Sequence, residues 1–344
     1  AFTPNSPSHH LLKVLAKDFG MPELLVKKRW VETDGSEKAR ERLKAGDVDI
    51  AVLWEPDVSR MVSSADFVKL IGTEDTAGVI IDILVANRSF FANHPAVVEL
   101  LFKNYFDVLR HYRENPDALV KSVRQETNVT EDVAKAMLSG VAWASLGENA
   151  EKWFNVGASG GVTVSELVKS IESAADILVS SGDFSSNPIP GNDPYRLIAS
   201  QPVANVFQAE GATSSAIVAG DSLSAPFTSL TDKQWDALRL VGAIKVDPIL
   251  FQSGTADLTL DGKETIDQMV ETLRHYPRYR AMIAGHTGTN GDPEANKRLS
   301  QDRAESVARY LEVAHAVNGN RMRAVGYGKD KPLRRIPGEE ERAY

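Results

Sequence analysis

The clearest chemistry in the chain sits on one predicted helix, where Asn296, Ser300 and Arg303 fall at i, i+4 and i+7 and share a face. An arginine and an amide beside the glycine-rich turn 285–291, close to a helix N-terminus, suit a carboxylate, because guanidinium, amide and helix dipole converge there. The same spacing also fits a solvated helix flank, and spacing alone leaves both readings open. A second set lies near the start of the chain. Ser6 and Ser8 at a helix N-terminus can take an anion, and Trp54 can form an aromatic wall with Glu55 as a polar contact. The competing reading makes Ser6 a helix cap and Trp54 a core residue at a strand end.

The elements that must position these residues follow from local pattern. Around Arg303, residues 279–284 read as a short strand. Asp292 then caps a helix, with Pro293 in its first position and Glu294 in its first turn. Ala304, Val307, Ala308 and Leu311 recur at helical spacing and form its core face. Near the start, AFT, KKRWVET and IAVLWEP read as strands, and the helices between them begin at Ser6–Pro7, at SEKARERLKAGD and near Asp57. The run VIIDILVAN (79–87) is apolar enough for a strand buried on both faces. This alternation is a parallel α/β pattern, in which ligands gather at the carboxyl ends of strands: residues 3–8, 33–36, and Trp54 with Glu55.

Residues 89–181 read as mostly helical. Val97, Leu100, Leu101, Tyr105 and Val108 form a stripe expected in the core, Thr130 is expected to cap a helix, and another helix is expected over 163–178. From 182 to 231 the composition shifts to Ser, Pro, Gly, Asn and Ala, which reads as a connector with one helical patch at 195–207. A short helix over 232–241 leads into the last domain.

Composition bounds the rest. With 344 residues, 42% hydrophobic and 25% charged, the chain has enough apolar content for two or more cores. No run of 18 apolar residues is present, so no transmembrane helix is expected and any membrane tether lies outside this sequence. There is no initiator methionine or signal peptide, as in a processed form or a fragment. The absence of cysteine excludes disulfides and thiolate metal sites. The net charge of −8 is uneven: the first 244 residues carry 23 Lys and Arg against 32 Asp and Glu, the remainder 16 against 15. No basic stripe with interleaved aromatics appears, so no nucleic-acid partner is expected. His9 and His10 are adjacent and diverge on a helix, and the other histidines lack ligand spacing, so neither a metal nor a cofactor is expected.

GHTG at 285–288, Gly291, Asn296, Leu299–Ser300, Arg303–Ala304, Val307, Tyr310–Leu311 and GYG at 326–328 resemble the OmpA-like peptidoglycan-binding domain. The upstream VDPILFQSGTADLTLDGKETIDQMVETLRHYP is similar to that family's opening strand and first helix, so the likeness covers about 243–344. The resemblance implies a pocket for the diaminopimelate side chain of a peptidoglycan stem peptide, in which Arg303 matches the carboxylate-binding arginine and Asn296 the helix asparagine. Thr287 and Gly288 lie in the turn. Gly288 stands where the family has the aspartate that receives the ammonium, and the loss of such a charge-assisted hydrogen bond weakens binding about tenfold or more. The likeness also implies a last strand beyond Tyr344.

TPNSPS, TDGSEKARERLKAGDVDIAVLWEP and IIDILVANRSFFANHPAVVELLFKNYF resemble the second lobe of a type 2 periplasmic solute-binding protein of the nitrate/taurine kind. That implies a first lobe upstream and a small anionic solute bound near Ser6, Ser8, Trp54 and Glu55. AIVAGDSLS (216–224) resembles the nucleophile block of GDSL-type esterases, with Ser222 as nucleophile, but no D-x-x-H partner block follows it. The expected fold is therefore α/β: a parallel α/β lobe with a helical extension over 1–181, a linker over 182–231, and an OmpA-like α+β domain over 232–344. The expected protein is non-catalytic. It belongs to the periplasm or cell envelope of a Gram-negative-type bacterium, where it docks on peptidoglycan and positions the front part at the wall. The alternative is a receptor for a small anion or amino-acid-like solute whose OmpA-like domain no longer binds the wall.

Overall fold

A computed structural model describes residues 1–156, 164–210, 223–288 and 290–331. The chain divides into two compact units, one of Ala1–Lys17, Met21–Glu74 and Gly78–Val218, the other of Asp18–Gly20, Asp75–Ala77 and Ala219–Tyr344.

The first unit opens with helix α1 (Pro7–Asp18), whose Leu11, Leu12, Val14 and Ala16 are buried. Helix α2 (Ser36–Ala45) ends at Gly46, which takes the left-handed conformation that lets its N–H reach the carbonyls of Arg42 and Leu43. Helix α3 (Asp57–Val62) is tied to α2 by an ion pair of 2.8 Å between Arg40 and the buried Asp57. Beside these helices the extended residues 1–3 receive and give backbone hydrogen bonds in the parallel pattern: Phe2 N–H to Val31 O, Thr33 N–H to Phe2 O and Val52 N–H to Ala1 O. The pairing is confined to one isolated parallel bridge, Phe2 with Glu32.

The expected parallel sheet is thus corrected to a single bridge: among the described residues of this unit no extended strand forms. The clearest departure is the run 79–87, which is irregular, with Ile83, Leu84 and Val85 65%, 64% and 78% exposed. Apolar content makes a segment suited to a sheet, but a strand also needs a neighbouring edge to satisfy its backbone, and no described segment supplies one.

Helices α4 (Arg88–Asn93), α5 (Pro95–Glu114), α6 (Pro116–Thr127), α7 (Glu131–Ser139) and α8 (Glu166–Ser180) follow. The core of this region joins Phe106 and Leu109 of α5 to Leu146 and Ala150 and to Val203 and Val206 of helix α9 (Gln201–Glu210). The α5 stripe expected in the core is corrected: Val97, Leu100, Leu101, Tyr105 and Val108 are all exposed, and the adjacent face with Val98, Phe106 and Leu109 is buried. The helix is apolar on two faces, and α9 packs on only one. Thr130 precedes α7 without a side-chain cap bond, whereas Ser165 caps α8 through Val168 N–H. Residues 182–210, read as the start of a connector with a helical patch at 195–207, contain α9, whose Val203 is fully buried.

The second unit is a β–α–β crossover with a further long helix and, ahead of it, the short helix Asp232–Asp236. Helix α10 (Leu260–Arg274) is capped by Thr259 Oγ1, which accepts from Gly262 N–H at 3.1 Å. Strand β1 (Ala281–Gly285) lies parallel to β2 (Met322–Gly326), with Ile283 opposite Ala324 and Gly285 opposite Gly326. Helix α11 (Pro293–His315) makes the crossover and begins as the sequence predicts: Asp292 Oδ1 accepts from Ala295 N–H at 2.8 Å. Ile266, Val270 and Leu273 of α10 meet Val307 and Leu311 of α11 in the core. The expected opening strand before α10 is corrected to a tight loop with an isolated antiparallel bridge, Phe251 to Leu258. Fully buried Arg321 closes the C-terminal end of α10, donating to the carbonyls of Leu273, Tyr276 and Tyr279. The Leu273 carbonyl lies at the negative end of a helix dipole, which a guanidinium complements.

Candidate functional site

The carboxyl ends of β1 and β2 stop against the first half of α11. A Cβ on Gly285 would lie 2.0 Å from the Ser300 carbonyl oxygen, and one on Gly326 would lie 2.4 Å from Gln301 N. Only hydrogen at these two positions lets the helix approach so closely. Ser300 and Gln301 then fasten helix to strand: Ser300 Oγ accepts from Gly328 N–H at 2.9 Å, and Gln301 Oε1 accepts from Gly326 N–H at 2.6 Å. Ser300 was expected on the polar face of the pocket. It is instead fully buried, because the strand-end N–H requires an acceptor that no sheet neighbour provides.

Above this floor the turn after β1 carries the other expected residues. Thr287 N–H donates to Gly328 O at 3.0 Å, while its Oγ1 is buried with no hydrogen-bond partner among the described residues. Gly288 is exposed, a Cβ there would meet nothing within 4 Å, and its backbone lies outside the left-handed region. Asn296 Nδ2 donates to Asn290 O at 2.8 Å and so braces the turn. His286 stacks on Tyr327, with Nδ1 2.6 Å from Lys331 O. Asp292, four residues beyond Gly288, is engaged as the helix cap.

Arg303 lies two turns along α11 from Asn296, about 10 Å by helical rise. Its Nε donates to Thr255 O at 3.0 Å, and its guanidinium lies 4.9 Å from the centre of the Phe251 ring. No described carboxylate pairs with it, and burial lowers its pKa from the usual arginine value. A half-buried guanidinium with Nε anchored and its terminal nitrogens free of carboxylate is arranged for two parallel hydrogen bonds to a carboxylate. Phe251 and Thr255 are the site residues that spacing did not reveal. The only local signal was an aromatic residue ahead of a Ser-Gly turn.

The expected residues of the first unit serve their own backbone. Ser6 Oγ donates to Thr3 O at 2.5 Å and accepts from His9 N–H at 3.4 Å, and Ser8 is buried. Trp54 is 43% exposed, with its N–H on Ser36 Oγ, and Glu55 Oε2 accepts from Ser59 N–H at 3.0 Å at the start of α3. Ser222 lies outside the described residues. Among the described residues no group of three or more metal-ligating side chains occurs, and no helix is long and apolar enough to cross a membrane.

Residues 250–344 match the family model of the OmpA family. The chain is 38% identical over 87 residues to a peptidoglycan-associated lipoprotein of Rhizobium meliloti (strain 1021), covering 25% of this chain and 49% of the relative. It is 40% identical over 78 residues to a peptidoglycan-associated lipoprotein of Legionella pneumophila, covering 22% and 44%. It is 34% identical over 85 residues to the probable lipoprotein YiaD of Escherichia coli (strain K12), covering 25% and 38%. The chain spans about half the length of the first two of these relatives, and all three matches are confined to about a quarter of this chain.

Proposed function

We propose that the protein is a non-catalytic component of a Gram-negative cell envelope that docks on peptidoglycan through its second unit. The observation that carries this reading is the pairing of the OmpA-family match over 250–344 with an Arg303 held against Phe251 and Thr255 and free of any described carboxylate. Arg303 grips the carboxylate of a diaminopimelate-type stem peptide. Thr287, whose hydroxyl has no partner among the described residues, and Asn296, through the turn it braces, define the neighbouring surface. The first unit is positioned at the wall by this docking, with a small anionic solute near Ser6, Ser8, Trp54 and Glu55 as the ligand its resemblance suggests.

Gly288 favours a second reading, in which the second unit is retained as a scaffold and the first unit is a solute receptor. With Gly288 in the turn and Asp292 engaged as the helix cap, no described carboxylate of the turn is left to receive the ammonium of the stem peptide. Co-sedimentation of the chain with purified diaminopimelate-type peptidoglycan, with free stem peptide as competitor, separates the two. Saturable and competed binding supports wall docking, and a chain left wholly in the supernatant removes it.

A further inference from the structure

A cavity of about 400 Å³ lies within the first unit, lined by His9, His10 and Lys13 of α1 and by Leu178, Asp183 and Phe184 at and beyond the end of α8. Asn5 and Ser6 complete the lining, so the cavity shares Ser6 with the solute site named above but not Ser8, Trp54 or Glu55, and its volume falls in the range of sites for small molecules. Lys13 is buried, with 5% of its surface exposed, yet its ammonium forms an ion pair of 2.7 Å with Asp183. An ammonium has three N–H donors, and this contact uses one. Asp183 remains partly open, its side chain 32% exposed.

His9 in the cavity wall has a fixed tautomer. Its Nδ1 accepts from Asn5 N–H at 3.3 Å, so the proton of the neutral ring sits on Nε2. That Nε2 is buried without a hydrogen-bond partner among the described residues, in a side chain only 7% exposed. Phe2 and Trp30 hold the ring, with centroids 4.7 and 5.2 Å away. Buried polar atoms without partners are rare, and His9, whose ring helps to wall the cavity, carries one.

The charges select the class of ligand. A simple anion drawn to Lys13 meets the Asp183 carboxylate, and a simple cation drawn to Asp183 meets Lys13. A molecule carrying both charges a few ångströms apart completes a four-charge arrangement with no net excess. Leu178 and Phe184 supply an apolar wall for whatever else the molecule carries. We propose that this cavity binds a zwitterion of amino-acid size, its anionic group on Lys13 and its cationic group on Asp183. This site does not depend on the wall-docking reading, and its failure leaves that reading untouched.

The test is calorimetric titration of the full chain with each of the twenty common amino acids, and with acetate and ethylamine as single-charge controls. At least one amino acid is expected to bind saturably and at least tenfold more tightly than either control. Lys13→Met, which leaves the half-open Asp183 to solvent, is expected to weaken that binding at least tenfold. Acetate binding as tightly as any amino acid, no saturable heat from any of the twenty, or a folded Lys13→Met chain that binds like wild type overturns the proposal. Should Lys13→Met fail to fold, the comparison of amino acids with acetate and ethylamine on the wild-type chain decides alone.

Discussion

Arg303 Nε donates to the Thr255 carbonyl at 3.0 Å while its guanidinium covers the Phe251 ring at 4.9 Å. One contact fixes the position of the group, the other its plane, and together they leave the terminal nitrogens oriented for a ligand. Phe251→Leu keeps apolar volume but removes the ring face. A cation–π contact at a partly exposed site contributes about 0.5–1 kcal/mol, so peptidoglycan affinity should fall about two- to fivefold. Titration of stem peptide against wild type and Phe251→Leu checks this, and equal affinities would remove the ring from the account.

Gly288 offers a gain-of-function prediction. The position has open space and an unstrained backbone, so Gly288→Asp should leave the thermal midpoint within a few degrees. The new carboxylate should raise affinity for a stem peptide with a free ammonium about tenfold or more, and leave affinity for its N-acetylated form unchanged. An equal gain for both peptides would show that the carboxylate does not meet the ammonium.

The beginning of α11 is legible in sequence because everything that decides it is local: Asp292 accepts from a backbone amide three residues on, and Pro293 needs no partner. Ser300 is not legible. Its spacing from Asn296 and Arg303 places it on their face, yet the acceptor needed by Gly328 N–H draws it inward, and that need arises 28 residues away. Arg303 and Phe251 likewise meet across 52 residues, beyond any periodicity. For α5 the pattern identified a helix with apolar faces but not which face its partner α9 would cover. The run 79–87 has strand composition, but composition cannot supply an edge to pair with. Legibility therefore ends where a residue's partner is distant in sequence.

The close packing of α11 on the strand ends predicts intolerance at Gly285. A methyl group there meets backbone, which cannot swing aside as a side chain can. Gly285→Ala should destabilise the second unit by about 3 kcal/mol or more. Urea unfolding followed by hydrogen exchange of the α11 amides reads the loss, and an unchanged midpoint would mean the helix is seated farther from β1.

Arg321 predicts a buried cap. Arg321→Met retains much of the side-chain length but removes three charged hydrogen bonds, to the carbonyls of Leu273, Tyr276 and Tyr279, of which the first two keep a backbone N–H donor, at a loss of about 2–3 kcal/mol. The same urea titration checks it. Arg321→Lys should recover only part of the loss, since one ammonium cannot reproduce the spread of the guanidinium.

The first unit should weaken in mild acid. Burial lowers the pKa of His9 and His10, and Lys13 lowers both further. Folded values below the unfolded value of about 6.5 mean that the unfolded chain binds more protons in the window just under that value. The histidine contribution to stability is therefore complete above about pH 7 and declines as pH falls below about 6.5. Urea midpoints at pH 7.5 and 5.5 should differ more for wild type than for His9→Gln/His10→Gln, and equal differences would contradict the assignment.

The central claim is that Arg303 holds a wall carboxylate, and co-sedimentation of wild type and Arg303→Ala with purified diaminopimelate-type peptidoglycan addresses it most directly. Wild type should bind saturably, and Arg303→Ala should bind at least about tenfold more weakly with an unchanged circular dichroism spectrum, as loss of a charged hydrogen-bonding group implies. Equal binding by the two chains, or no binding by either, would contradict the account.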